Sequence, residues 1–225
     1  MTDKDPRCAS CPYESSDRIC RNKDGKAPAF CPTLNMPDLA QESLKQYNDD
    51  PAISNFAKQA SIQEADGYIN RELGHAAVRG SKTRIEEIME FAAKMGYKRL
   101  GLAFCMGLRK EAQVVEKLLS SRGFEVVSAI CKVGGISKEC IGLSKEQQVD
   151  PKGAEIMCNP IMQAMILNEG KTDFNVLLGL CVGHDSLFLK YAEAPCTVLA
   201  VKDRVLGHNP LAAIYNVDSY YRSLK

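Results

Sequence analysis

The chain has 225 residues, ten of them cysteine, with 45% hydrophobic content and 29 basic against 28 acidic side chains. That length can bury one full core and carry a small appendage, and a formal charge of +1 gives no global field for gathering nucleic acid or an anionic membrane surface. Met1 to Arg7 is polar, no apolar leader follows it and no run approaches a membrane span, so the expectation is a cytoplasmic protein with neither a membrane nor a nucleic-acid partner.

In a reducing compartment ten cysteines point to metal or thiol chemistry more than to disulfide staples. Four of them, Cys8, Cys11, Cys20 and Cys31, fall within residues 1–36, among turn formers and charges and with too few large apolar residues for a core. Cys8-Ala9-Ser10-Cys11 is a spacing at which two sulfurs grip one metal centre, and Cys20 and Cys31 complete a set of four thiolates. Structural zinc usually shows two such pairs, whereas Cys11-Pro12 and Cys31-Pro32 resemble the Cys-Pro that ends many iron-sulfur runs. An iron-sulfur cluster is the first expectation for this module and zinc the second. Arg7, Arg18, Arg21, Lys23 and Lys26 can offset the negative charge of such a site, or can simply be solvated.

Met36-Pro37-Asp38 opens the second part of the chain, residues 37–225, with a helix start. Leu39 to Tyr47 reads as one helix, and a longer one is expected from Asp50-Pro51 to about Leu73 on an imperfect apolar stripe, with Gly74 at its end. Thr83 with Glu86 is a capping box ahead of Ile85, Ile88, Met89, Ala92 and Met95, and Gly96 closes that helix. From Lys98 the pattern becomes strand, glycine turn, helix, strand: Arg99 to Cys105, a helix over Arg109 to Ser121, then Phe124 to Cys131. A long connection from Lys132 to Met157 contains Cys140 and should hold a short helix. Asn159-Pro160 caps the next helix, directly after Cys158; Phe174 to Cys181, a helix from about Asp185 to Tyr191, and Thr197 to Val201 follow, and Asn209-Pro210 opens a last short helix. The sum is an α/β protein: a short parallel sheet of about four strands with helices on both faces, preceded by helices and the small four-cysteine module.

Three predicted strands end in cysteine, at Cys105, Cys131 and Cys181, each followed by glycine, and Cys158 precedes a helix cap. In an open parallel sheet the carboxyl ends of the strands border one crevice, so these four cysteines are candidates for a shared cofactor-binding site, such as a second metal or cluster. Each taken singly reads as a small buried residue. Helix N-termini near Arg109, Pro160 and Asp185 would favour thiolates there, and convergence of only two would instead suggest a redox-active disulfide or a lone nucleophile. His184, three residues after Cys181, is the candidate catalytic residue, as ligand, proton donor or thiolate partner. Cys196 opens a strand and reads as packing. Dinucleotide-binding and P-loop glycine patterns and the nucleophile elbow of serine hydrolases are absent.

The module ending Cys31-Pro32, the run Cys158-Asn159-Pro160-Ile161 with Gln163-Ala164 and Leu167-Asn168, the run Gly179 to Ser186 and the run Lys202 to Pro210 together resemble a family of uncharacterised prokaryotic cysteine-rich proteins of unknown function, regarded as metal-binding. The resemblance spans nearly the whole chain and implies a metal, not a reaction. The expectation is therefore a cytoplasmic metalloprotein, iron-sulfur in type, in electron transfer or redox catalysis at a cysteine-lined crevice, with a redox protein or a small molecule as partner. The alternative is a non-enzymatic, zinc-stabilised binding or metal-handling protein.

Overall fold

A right-handed β-α-β crossover is the unit from which the larger part of the chain is built. The computed structural model describes residues 5–225, and the chain divides into two units, Met1–Ile62 and Gln63–Lys225. The first holds α1 (Pro32–Asn35), α2 (Pro37–Asp49) and most of α3 (Pro51–Asp66), after a cysteine-bearing segment of turns and 3-10 helix. Cys31 is the only buried residue between Asp5 and Ile62. Leu39, Leu44, Tyr47 and Ile53 stand exposed on α2 and α3.

The second unit has β1 (Tyr68–Ile69), β2 (Arg79–Gly80), α4 (Arg84–Lys94), β3 (Arg99–Phe104), α5 (Arg109–Ser121), β4 (Glu125–Ile130), α6 (Pro160–Glu169), β5 (Phe174–Leu178), α7 (His184–Tyr191), β6 (Cys196–Ala200) and α8 (Leu211–Tyr215). The four longer strands form one parallel sheet in the order β4-β3-β5-β6. Moving from β3 to β4 and then back past β3 to β5 reverses the direction of the crossover. Right-handed connections therefore put α5 on one face and α6 and α7 on the other. The fold is the α/β class expected, with helices ahead of its sheet. Among the described residues no helix is long and apolar enough to cross a membrane.

Period-two alternation assigns the core. Phe174 of β5 meets Phe91 of α4 at 5.5 Å between ring centroids, while its neighbours Asn175 and Leu177 face the other layer. There Ala103, Ala129, Ala164, Leu167, Leu177, Leu180 and Phe188 close the core between sheet, α6 and α7. Asn175 is fully buried in it, accepting from Thr172 Oγ1 (2.8 Å) and donating to Cys196 Sγ (3.8 Å). A Cβ on Gly101 of the adjacent strand would lie 2.1 Å from Asn175 Oδ1 and 2.7 Å from Leu167 Cδ1. Gly101→Ala is thus expected to destabilise the protein by about 1–3 kcal/mol through overpacking. The melting midpoint should fall by roughly 2–4 °C for each kcal/mol. An unchanged midpoint would mean that Asn175 leaves its pocket without cost.

One expected element is different. The helix begun at Pro51 stops at Asp66, not near Leu73, and Tyr68–Ile69 pairs antiparallel with Arg79–Gly80. The cause is local: at Gly67 a Cβ would meet Glu87 Oε1 at 2.5 Å, and Asn70 turns the chain with φ 62°. Tyr68 and Ile69, which belong to the apolar stripe in sequence, are exposed. The capping box of Thr83 and Glu86 is present, as are the Asn159 cap and Pro160 at the start of α6.

Candidate functional site

In the first unit the four cysteines line a single cavity of about 60 Å³, bordered also by Arg18, Ile19, Lys26 and Phe30. This exceeds the roughly 10–15 Å³ that one water requires. Local hydrogen bonds place each sulfur. Cys11 N–H donates to Cys8 O (3.2 Å) and closes the first turn, and Ile19 N–H donates to Lys26 O (3.0 Å), which folds the segment carrying Cys20. Cys31 N–H donates to Pro28 O (2.9 Å), and Cys31 O then accepts from Asn35 N–H as α1 begins. Among the described residues no three His, Cys, Asp or Glu side chains close on one point as the ligands of a single ion do. Arg7 lies over the Phe30 ring at 4.7 Å, and Lys26 pairs with Asp17 at 3.5 Å.

In the second unit three cysteines converge at the carboxyl edge of the sheet. Phe104 of β3 pairs with Ile130 of β4, so Cys105 and Cys131 leave adjacent strands side by side, and Cys131 N–H donates to Phe104 O (2.9 Å). The connection after Cys131 folds back on itself: Lys138 N–H donates to Glu155 O, Met157 N–H donates to Ile136 O, and Lys138 pairs with Glu155 at 2.7 Å. That closure returns the chain to its starting point, where Asn159 N–H donates to Cys131 O (2.7 Å) and brings Cys158 beside Cys131. The result is a row of three thiols with Cys131 in the middle, acting on Cys105 on one side and on Cys158 on the other. Beneath it the fully buried Gln163 of α6 donates to both Phe104 O (3.2 Å) and Ala129 O (2.7 Å), bracketing the two strand ends.

The three thiols hold protons unequally. The hydrogen bond from Cys131, helped by Gly107 N–H and the Lys202 ammonium, lowers the Cys105 pKa to about 5. Cys158 is lowered to about 6, again chiefly by Cys131 and then by Lys132 and His184. Cys131 moves the other way: two sulfur neighbours and burial keep its proton on, although Met106 N–H donates to its sulfur (3.2 Å). The central thiol is 4% exposed and its two neighbours are partly buried. A protonated sulfur between two thiolates is what this geometry favours.

Cys181 reaches the same edge but takes a different neighbour, accepting from Arg204 Nη2 at 3.1 Å. Its carbonyl accepts from the N–H groups of His184 and Asp185 as α7 begins. His184 is half-buried and lies near enough for its charge to act on Cys158. Cys140 is exposed on a 3-10 turn, and Cys196 lies at the start of β6, opposite Asn175, where burial raises its pKa. Lys132, Lys202 and Arg204 join the site without having stood out as candidates in the sequence. Two of them follow the last strand of a parallel sheet, which is the signal that could have found them. Gly179 allows this approach: with φ +68° and a would-be Cβ 2.1 Å from Leu108 Cδ1, it brings β5 close under the turn after Cys105. Lys202 N–H then donates to Leu180 O (3.2 Å). Asp203 Oδ1 accepts from the Val205 and Leu206 N–H groups, and Asp203 N–H donates to His208 Nδ1 (3.1 Å), so the loop presenting Arg204 is stiff.

Comparison with known proteins relates the chain to a family and to an archaeal relative. The family model described as "Protein of unknown function (DUF1847)" matches residues 31–199. The uncharacterised protein MJ0455 of Methanocaldococcus jannaschii is 45% identical over 184 residues, covering 82% of this chain and 86% of that protein.

Proposed function

We propose that this chain, which belongs to the DUF1847 family of proteins of unknown function, is a metal-bearing redox protein of the cytoplasm, with an iron-sulfur cluster on Cys8, Cys11, Cys20 and Cys31 and thiol redox chemistry at the strand-end crevice. The observation that carries the reading is the shared cavity of the four N-terminal cysteines. Four cysteines lining one volume suit a polynuclear cluster, whose irons and sulfides fill the space between the thiolates. Arg18 and Lys26, on the same cavity wall, would offset part of the thiolate charge. When bound, the cluster supplies one-electron chemistry; the chain supplies four thiolates and their spacing. A redox protein or a small molecule would be the partner.

Zinc is the second reading, favoured by the lack of a core around Cys31: a segment without one needs a ligand-held centre whether or not it carries electrons. Anaerobic purification separates the two. The expected protein is brown, with iron and acid-labile sulfide in equal amounts, roughly two or four of each per chain. Colourless protein with stoichiometric zinc would overturn the cluster.

A further inference from the structure

We propose that the strand-end crevice carries out thiol-disulfide exchange on small anionic disulfides, with Cys105 as the attacking thiolate, Cys131 as the resolving thiol and Cys158 as the acceptor of the disulfide from Cys105. This rests on the crevice half of the preceding reading and not on its N-terminal metal.

Geometry comes first. Cys105 and Cys131 directly follow the register pair Phe104 and Ile130. Adjacent strands lie about 4.7–4.9 Å apart, inside the range of roughly 4.4–6.8 Å between Cα atoms that a disulfide spans. Met106 N–H, one residue beyond Cys105, donates to Cys131 Sγ (3.2 Å), which sets the buried sulfur beside the turn that carries Cys105. Cys131 is buried, so a substrate meets Cys105 before it. Gly107 keeps that approach open, since a Cβ there would stand 3.2 Å from Lys202 Nζ and 3.9 Å from Cys105 Sγ.

Charge sets the substrate class. Lys202 Nζ and the Cys105 sulfur both lie beside Gly107, Arg204 donates to the Cys181 sulfur, and Lys132 and His184 act on Cys158. The acids alongside are engaged in their own turns: Asp203 Oδ1 accepts from Val205 and Leu206, and Asp185 Oδ1 accepts from Ser186 N–H. A disulfide bearing carboxylates would meet Lys202 beside the attacking sulfur and further cations along the same edge.

The cycle balances as follows. The Cys105 thiolate attacks one sulfur of R–S–S–R′; that bond breaks, and R′–S⁻ leaves with the electron pair and takes a proton from water. Cys105, now a mixed disulfide, has lost its charge, so Cys131 no longer faces a thiolate on that side and gives its proton to Cys158. Cys131 attacks the Cys105 sulfur, and R–S⁻ departs, receiving the proton from Cys158. The substrate has gained two electrons and the protein holds a Cys105–Cys131 disulfide. Attack by the Cys158 thiolate on the Cys131 sulfur moves the bond to Cys131–Cys158 and frees Cys105 as a thiolate. An external dithiol reduces the protein by the reverse exchange and is itself oxidised to a disulfide.

The test uses full-length, metal-replete, reduced protein mixed with 5,5′-dithiobis(2-nitrobenzoate), a dianionic disulfide, or with the dication cystamine, quenched in acid and mapped by peptide mass. The exposed Cys140 serves as internal standard. Relative to Cys140, the Cys105 mixed disulfide should form first and about tenfold faster with the dianion than with the dication, as charge complementarity of this kind gives. It should then convert to Cys105–Cys131. In Cys131→Ser it should persist, and Lys202→Met should remove most of the preference for the dianion. Labelling of Cys105 no faster than Cys140, or a mixed disulfide that persists in the unsubstituted protein, would overturn the proposal. Iron, sulfide and zinc are measured on the same samples. Colourless protein with fast exchange removes the cluster and leaves the exchange chemistry standing; brown protein without exchange does the reverse.

Discussion

Cys11→Ser is expected to abolish metal binding at the proposed four-cysteine centre and open residues 18–26 to trypsin, while the melting midpoint of the sheet-bearing unit stays unchanged. The magnitude follows from what else could hold the segment. Cys31 is the only buried residue between Asp5 and Ile62, and the remaining ties are turn hydrogen bonds and exposed ion pairs such as Lys26 with Asp17. Those pairs contribute about 0–1 kcal/mol each, whereas structural zinc held by four ligands contributes on the order of 10–16 kcal/mol of folding free energy. Removing one thiolate from four should therefore unfold the segment. The second unit has its own core around Leu167, Leu177 and Phe188 and should not respond. Cleavage after Arg18, Arg21 and Lys23 read by mass, alongside metal analysis, checks this. A Cys11→Ser protein that keeps its metal would remove Cys11 from the ligand set, and one that loses the metal yet resists trypsin would show that the metal does not hold the segment.

The second large effect is in the pH dependence of alkylation. Because the thiolate is the nucleophile and the Cys105 pKa is lowered to about 5, its reaction with iodoacetamide should fall only as pH drops through about 5 and be level above. An ordinary cysteine, with pKa about 8.5, gains close to tenfold per pH unit over the same range. At pH 6 the thiolate fraction favours Cys105 about 300-fold. A more acidic thiolate is a weaker nucleophile by about 40-fold over that pKa difference, which leaves a net advantage of roughly eightfold. Cys158 should show its inflection near 6. Cys131→Ala removes the largest cause of the Cys105 shift and should move its inflection to higher pH. A Cys105 profile that climbs steadily to pH 8 would rule out the thiolate.

The sheet, its order of elements and its caps can be read from the chain because apolar runs, glycine stops and the Asn159-Pro160 start all act locally. The four N-terminal cysteines stand out for the same reason: a segment without a core draws attention to its sulfurs. Tyr68 and Ile69 mislead because an apolar pair at helical spacing looks alike whether or not the chain has already turned, and the steric cause at Gly67 is a contact with Glu87, twenty residues on. The crevice is legible only in part. Strand ends in a parallel sheet point to one edge, which groups Cys105, Cys131 and Cys181, but the pairing of Cys181 with Arg204 depends on the loop held by Asp203 and His208. Lys132, Lys202 and Arg204 look like any solvated loop cation until the strands are aligned.

The spacing of the three thiols along the chain has a consequence for the unfolded protein. Cys131 comes 26 positions after Cys105, and Cys158 comes 27 positions after Cys131. A disulfide between either pair would restrict the denatured ensemble by nearly the same loop-closure entropy, worth about 3.5 kcal/mol on the chain-entropy model. Oxidation at either position should thus raise resistance to denaturant by a similar amount, and that entropy leaves no preference for where the bond sits. Its position is decided in the folded state, by strand register on one side of Cys131 and by the closed 132–157 loop on the other.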